Sequence, residues 1–180
     1  MFKRHPAYRR ILVSGCARSG THLYCDLLNA IGIRVRHEYR ARDGIVSHLA
    51  GGMPGAQEYR IRVMLLRNPL GIIRSSHTIR IRTWTRISSC LEYDMTKHAI
   101  LERCMLYYVK WNELLEQNMK PQIRVRIEDV ELAGVRKSRR NQPQYGRNVT
   151  WKNMTHRYPD LTAEVRRVAR SYRYALTELR

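Results

Sequence analysis

Acidic residues are scarce in this chain. Asp and Glu number 15 against 34 Lys and Arg, a formal net charge of +19 over 180 residues. A charge-balanced surface is excluded, and the protein is expected to attract polyanions: nucleic acid, acidic lipid headgroups, sulfated or uronic sugars, phosphorylated cofactors. Nearly all the excess is Arg, whose planar fork matches phosphate and sulfate oxygens better than the point charge of Lys. Cysteine pairing is also missing. Cys16, Cys25, Cys90 and Cys104 form no CxxC pair and no zinc-finger spacing, so they read as free thiols in a reducing compartment. No apolar run approaches the ~20 residues that span a bilayer, and the basic stretch Met1–Arg10 has no apolar core of a signal peptide behind it. The expectation is a soluble, cytoplasmic protein. Internal repeats and a linker long enough to divide the chain are absent, so residues 1–180 are expected to form one domain.

What is present is an alternation of strand and helix signals. Ile11-Leu12-Val13 is a short apolar run that ends at Ser14-Gly15, a strand followed by a turn. Leu23, Leu27, Leu28 and Ile31 recur at helical spacing, and Gly32 closes that helix. Ile33–Arg36 alternates like a second strand, whereas 37–55 reads as loop with one helical turn over Ile45–Leu49. Tyr59–Leu66 gives the strongest strand signal, and Pro69 sits well at the first position of the next helix. A long amphipathic helix is expected over His98–Asn118, a strand over 123–127 and a last helix over Leu161–Tyr172. The stretch 79–97 is the least regular, a candidate lid over an acceptor, and 134–147 reads as a mobile loop. Strands alternating with helices predict an α/β three-layer sandwich around a mostly parallel sheet.

Two segments carry chemistry. Gly15-Cys16-Ala17-Arg18-Ser19-Gly20-Thr21 lies between a strand and a helix, where backbone N–H groups and the helix N-terminus cradle an oxyanion. The spacing from Gly15 to Gly20 matches the phosphate loop of nucleoside triphosphatases, but the Lys that follows it there is missing. Thr21 follows directly and the cation comes earlier, at Arg18. This loop is expected to hold a shorter anion chain; a turn needed only for strand–helix packing would use the same glycines. The second segment, Arg67-Asn68-Pro69 through Ser75, follows the strongest strand, where ligands bind in open α/β sheets. Plain helix initiation with Arg67 as surface charge is the alternative.

In order, SGCARSGTHL and RNPLGIIRSS resemble the sulfotransferases that use 3′-phosphoadenosine-5′-phosphosulfate (PAPS), a family with the fold of phosphate-loop (P-loop) hydrolases. His37-Glu38 with Asp43-Gly44 and Ser47, the run Glu128-Asp129-Val130, and Thr150-Trp151 are similar to stretches of its small bacterial-type members. The resemblance covers essentially the whole chain. It implies that Gly15, Cys16, Ala17, Arg18, Ser19, Gly20, Thr21 and His22 hold the 5′-phosphosulfate, and that Arg67 and Ser75 hold the 3′-phosphate. Cytosolic members carry Lys where this chain has Arg18, and His22 stands where a small or apolar residue is usual. The family's basic closing loop is matched only loosely, by Arg139, Arg140 or Arg147.

Sulfuryl transfer needs a cradle for the sulfonate, a base near the acceptor hydroxyl and a stabilised leaving phosphate. Arg18 and the N–H groups of residues 19–21 are the expected electrostatic element. Glu38 is the first choice for the base, with His48 and His37 as competitors and an ion pair to a nearby Arg as the inert reading. His77, His98 and His156 are expected to play no chemical role, and Trp84, Tyr93, Tyr107, Tyr108 and Trp111 to be core. No metal cluster is evident and PAPS chemistry requires none. The acceptor is expected to be a carbohydrate or another small hydroxylated (or amine) molecule. Three alternatives stay open: a small kinase on the same loop, with Asp129 as a faint metal site; a basic nucleic-acid binder, though no known motif for one is present; and an inactive relative.

Overall fold

The computed structural model of the chain describes residues 10–130 and 149–176. Five strands form one sheet: β1 (Ile11–Gly15), β2 (Val35–His37), β3 (Gly44–Val46), β4 (Ile61–Leu66) and β5 (Ile123–Arg126). All pairings are parallel and the order is β2-β3-β1-β4-β5. Six helices accompany them: α1 (Thr21–Ala30), α2 (Pro69–Ser76), α3 (Ile81–Leu91), α4 (Ile100–Met119), α5 (Trp151–Arg157) and α6 (Pro159–Ser171). The expectation of an α/β protein with a covered parallel sheet is met, and the sheet is wholly parallel.

Side chains alternate between the two faces of a strand, and both faces here are covered. Ile11, Val13, Val63 and Leu65 join Val35 and Val46 in a small cluster closed by Cys25 and Leu28 of α1. Leu12, Met64 and Leu66 point the other way, into a much larger core with Trp84, Tyr107, Trp111, Trp151 and Val165 from the remaining helices. The connection leaving β1 runs toward β2 and the one leaving β4 runs toward β5. The direction of winding therefore reverses between β1 and β4, whose C-terminal ends are where an open α/β sheet offers a crevice.

Three local expectations are corrected. The helical turn read over Ile45–Leu49 is in part β3, a three-residue strand buried throughout and too short to show a period. The segment 79–97 is not irregular: it contains α3, docked by Trp84 and Ile87, both fully buried. Its alternating Ile79-Arg80-Ile81-Arg82 start masks the helical spacing that follows. Helix α5 carries no expectation from the sequence; Thr150 caps it by accepting the Asn153 N–H at 3.1 Å. The loop read over 134–147, with Arg139, Arg140 and Arg147, lies outside the described residues.

Candidate functional site

The glycine loop joins β1 to α1 in a tight, mostly buried turn. A Cβ on Gly15 would fall 2.4 Å from Ser19 Oγ and 2.5 Å from the Leu65 carbonyl oxygen, so only glycine fits beside β4. The Ser19 N–H donates to the Cys16 carbonyl at 2.9 Å and closes the turn. Arg18 takes a left-handed conformation (φ 74), which swings its exposed side chain clear of the loop. Gly20 (φ 90) begins α1, where no side chain caps the first N–H groups and no acidic residue occupies the first turn. Ser19, 1% exposed, leaves its hydroxyl without a partner. Uncapped N–H donors at a helix start can donate to an anion, whereas the Ser19 hydroxyl is packed inward against Gly15.

The loop also uses some donors on itself. The Ala17 N–H donates to the Tyr107 hydroxyl oxygen at 2.5 Å, so Tyr107 is core, as expected, and also a strut under the loop. Cys16 is buried, and burial pushes its thiol far above the ordinary range, leaving an inert packing group. The crevice beneath the loop, between Cys16, Ser19, Leu66, Arg67 and Asn112, has no room for a water-sized group. A ligand would have to lie on the outer side, over Arg18 and the start of α1.

Arg67, at the end of β4, donates from Nη1 to the Arg18 carbonyl oxygen at 2.7 Å. Its guanidinium lies along the first turn of α2, where a Cβ on Gly71 would come within 3.2 Å of Nε. Ser75 lies one helical turn beyond Gly71 and donates its hydroxyl to the Gly71 carbonyl at 2.6 Å. Arg67 and Ser75 thus share one stretch of α2. Burial pulls the Arg67 guanidinium below its ordinary value; the Glu128 carboxylate opposes that shift and Arg18 adds to it. Glu128 holds the turn before α2: it accepts the Asn68 N–H at 2.7 Å and the Tyr174 hydroxyl at 2.9 Å. Arg18 donates from Nη2 to Thr78 Oγ1 at 2.7 Å, which ties the loop to the link between α2 and α3.

The third part of the site follows β2. Glu38 (φ 61) turns the chain back toward β3, its N–H donating to the Val46 carbonyl at 2.8 Å. One carboxylate oxygen accepts Ser47 Oγ at 2.6 Å; the other accepts the His48 N–H at 3.1 Å and His48 Nδ1 at 2.6 Å. Burial alone would raise the Glu38 pKa, but the bonds and charge of His48 and the Ser47 hydroxyl outweigh it and hold it at about 2. An ionised carboxylate can only accept, so Nδ1 of His48 carries the proton it shares with Glu38. Nε2 of His48 is covered and has no partner.

His37 joins the two regions. Its Nε2 lies 2.9 Å from Thr21 Oγ1 and 3.5 Å from Glu38 Oε1, and its ring stacks on His22 with centroids 3.5 Å apart. Burial lowers the His37 pKa, His22 and His48 lower it further, and Glu38 works against them. All the residues singled out from the sequence, from Gly15 to His22 with Glu38, His48, Arg67 and Ser75, therefore fall on one end of the sheet. Ser47, Thr78, Tyr107 and Glu128 complete the site without having been assigned a part in it. Ser47 and Glu128 lie in stretches that carry the family resemblance; nothing local marks the other two. His98 bonds Tyr93 and Glu102, and Asp129 is spent on Arg126 at 2.6 Å.

Comparison of the chain with family models, with curated proteins and with solved structures found no match. Among the described residues no helix is long and apolar enough to cross a membrane.

Proposed function

We propose that the protein is a PAPS-dependent sulfotransferase of the P-loop type, moving a sulfuryl group to a hydroxyl acceptor. The observation that carries the reading is the pairing of an uncapped glycine loop with two arginines, Arg18 and Arg67, whose hydrogen bonds go to neutral oxygens. A carbonyl or hydroxyl satisfies a guanidinium donor without cancelling its charge, so both cations remain available to an anion. The residues present fit the nucleotide. The first turn of α1 and Arg18, on the outer side of the loop, suit the 5′-phosphosulfate; Arg67, with Ser75 turned from Gly71, suits the 3′-phosphate.

Bound there, the nucleotide supplies the sulfuryl group and leaves as 3′-phosphoadenosine-5′-phosphate. Arg18 and the N–H groups of α1 set positive potential where charge gathers on the leaving phosphate. Glu38, held at about 2, is too weak a base for a hydroxyl, and its oxygens are already engaged by Ser47 and His48. We therefore assign the proton transfer to Nε2 of His48, which is covered in this structure and meets the acceptor only once the site opens, with Glu38 as the positioning residue that fixes the ring and its tautomer.

Calorimetric titration with 3′-phosphoadenosine-5′-phosphate tests the reading, alongside the analogue lacking the 3′-phosphate and ATP with and without magnesium. The expected result is metal-independent binding that depends on the 3′-phosphate and weakens in Arg67→Ala. A preference for magnesium–ATP would replace it with a kinase.

A further inference from the structure

Between Glu58 and Glu92 the chain contains seven arginines and no acidic residue. Their fates differ. Arg62 and Arg74 donate to backbone carbonyls, at 2.6 Å to Tyr59 and 2.9 Å to Val149, and Arg67 serves the glycine loop. Arg60, just before β4, is exposed, and so are Arg80, Arg82 and Arg86, whose guanidinium groups have no hydrogen bond and no ion pair among the described residues. Arg80 is the N-cap of α3 and Arg82 and Arg86 lie on its first two turns, and the Arg18–Thr78 bond fastens the chain just before α3 to the glycine loop.

Helix α3 has two unlike faces. Trp84 and Ile87 anchor it in the core, while Ile81, Arg82, Thr85, Arg86 and Ser89 form a continuous exposed stripe. That stripe is about 12 Å long at the rise of an α-helix. Arg82 and Arg86 stand four residues apart, where like charges repel and weaken the helix. With no carboxylate in the segment to relieve the repulsion, an external anion is the complementary partner. The Thr85 and Ser89 hydroxyls donate to the Ile81 and Thr85 carbonyls of the helix and keep only accepting capacity for a sugar hydroxyl, and Ile81, 61% exposed, offers an apolar surface for a ring.

We infer that α3 binds the acceptor, and that the acceptor is an acidic oligosaccharide whose carboxylate or sulfate groups are read by Arg80, Arg82 and Arg86. The inference rests on the sulfotransferase reading for the hydroxyl it delivers to the loop, and on charge complementarity for the rest. The stripe exceeds one sugar ring in length, so a chain of acidic sugars engages it better than a monosaccharide. An acceptor held there has its reacting hydroxyl brought toward Arg18, since the residues that precede α3 touch that side chain.

The test compares the full chain with the double variant Arg82→Gln/Arg86→Gln and with a control, Arg34→Gln/Arg42→Gln, at exposed positions by the opposite end of the sheet. Binding of oligogalacturonate is measured against a neutral oligosaccharide of equal length, and binding of 3′-phosphoadenosine-5′-phosphate is measured in parallel. The wild type and the control are expected to prefer the acidic chain at least tenfold. The α3 variant is expected to lose that preference while keeping its nucleotide affinity and a thermal melting point no lower than that of the wild type, since the repulsion between the two arginines is removed. Equal binding of acidic and neutral chains by the wild type, or an equal loss in the control, overturns the inference. So does an oligoribonucleotide of matched charge that binds more tightly through the same arginines. If the nucleotide fails to bind but the acidic preference persists and depends on Arg82 and Arg86, the α3 surface stands and the sulfotransferase reading falls.

Discussion

The loop half of the site and the half built on β2 and β3 each hold one non-glycine residue in the left-handed region, Arg18 at φ 74 and Glu38 at φ 61. The other such residues, Glu92, Lys120 and Arg173, end or follow helices, where that conformation is ordinary. Beyond this shared backbone device the halves treat charge in opposite ways. Arg18 and Arg67 are hydrogen-bonded to a hydroxyl and a carbonyl and to no carboxylate, although Glu128 lies close enough to Arg67 to act on its charge. Glu38 is surrounded by Ser47 and two imidazoles and forms a local proton-sharing network. Under the proposed function, one half would meet a ligand's charge and the other would hold a proton in place.

Removing the base should separate the halves most sharply. In His48→Ala, turnover is expected to fall by about 10²–10⁴, the usual worth of general base catalysis, with nucleotide affinity unchanged in calorimetry. A parallel loss of affinity would mean that the ring supports the loop instead. Arg67→Ala attacks the other half and should weaken 3′-phosphoadenosine-5′-phosphate binding by roughly 10–100-fold, the range of a charge-assisted contact of about 1.5–3 kcal/mol. The analogue lacking the 3′-phosphate should bind the variant and the wild type alike.

A pH measurement sharpens the contrast further. Glu38 ordinarily would titrate near 4.5 but is held at about 2 in the folded chain. The unfolded chain therefore takes up a proton that the folded one refuses. The stability this contributes is full above 4.5 and is lost as pH falls toward 2. Denaturant unfolding of Glu38→Gln should show a flatter decline across that window than the wild type, and an unchanged slope would break the assignment. The same variant should lower kcat and leave KM for the nucleotide alone, with partial rescue in Glu38→Asp. The smallest effect belongs to Ser75→Ala, expected to cost about 1 kcal/mol of nucleotide binding, one neutral hydrogen bond, and little stability.

Local signals made much of this legible. Gly15 and Gly20 around Arg18, and Pro69 after Asn68, mark backbone turns that few other residues tolerate, so the two segments proposed to bind the nucleotide stood out. The spacing of Leu101, Cys104, Tyr108 and Leu115 likewise reported a helix whose burial repeats locally, and the alternation of Ile123 and Val125 reported β5, although Ile123 itself is exposed there. Where an element is too short for a period, as in β3, or where arginines crowd its start, as in α3, the signal failed.

By itself the sequence determined an α/β chain, the two turns and the excess of unpaired guanidinium, because propensity, turn geometry and charge belong to neighbouring residues. The tertiary structure alone decided what those pieces face. The Ala17 N–H on Tyr107, the Arg67 guanidinium on Arg18, Arg18 on Thr78 and His37 between Thr21 and Glu38 all depend on strand order and register. Such contacts form between residues brought together only when the sheet closes, and no spacing along the chain encodes them.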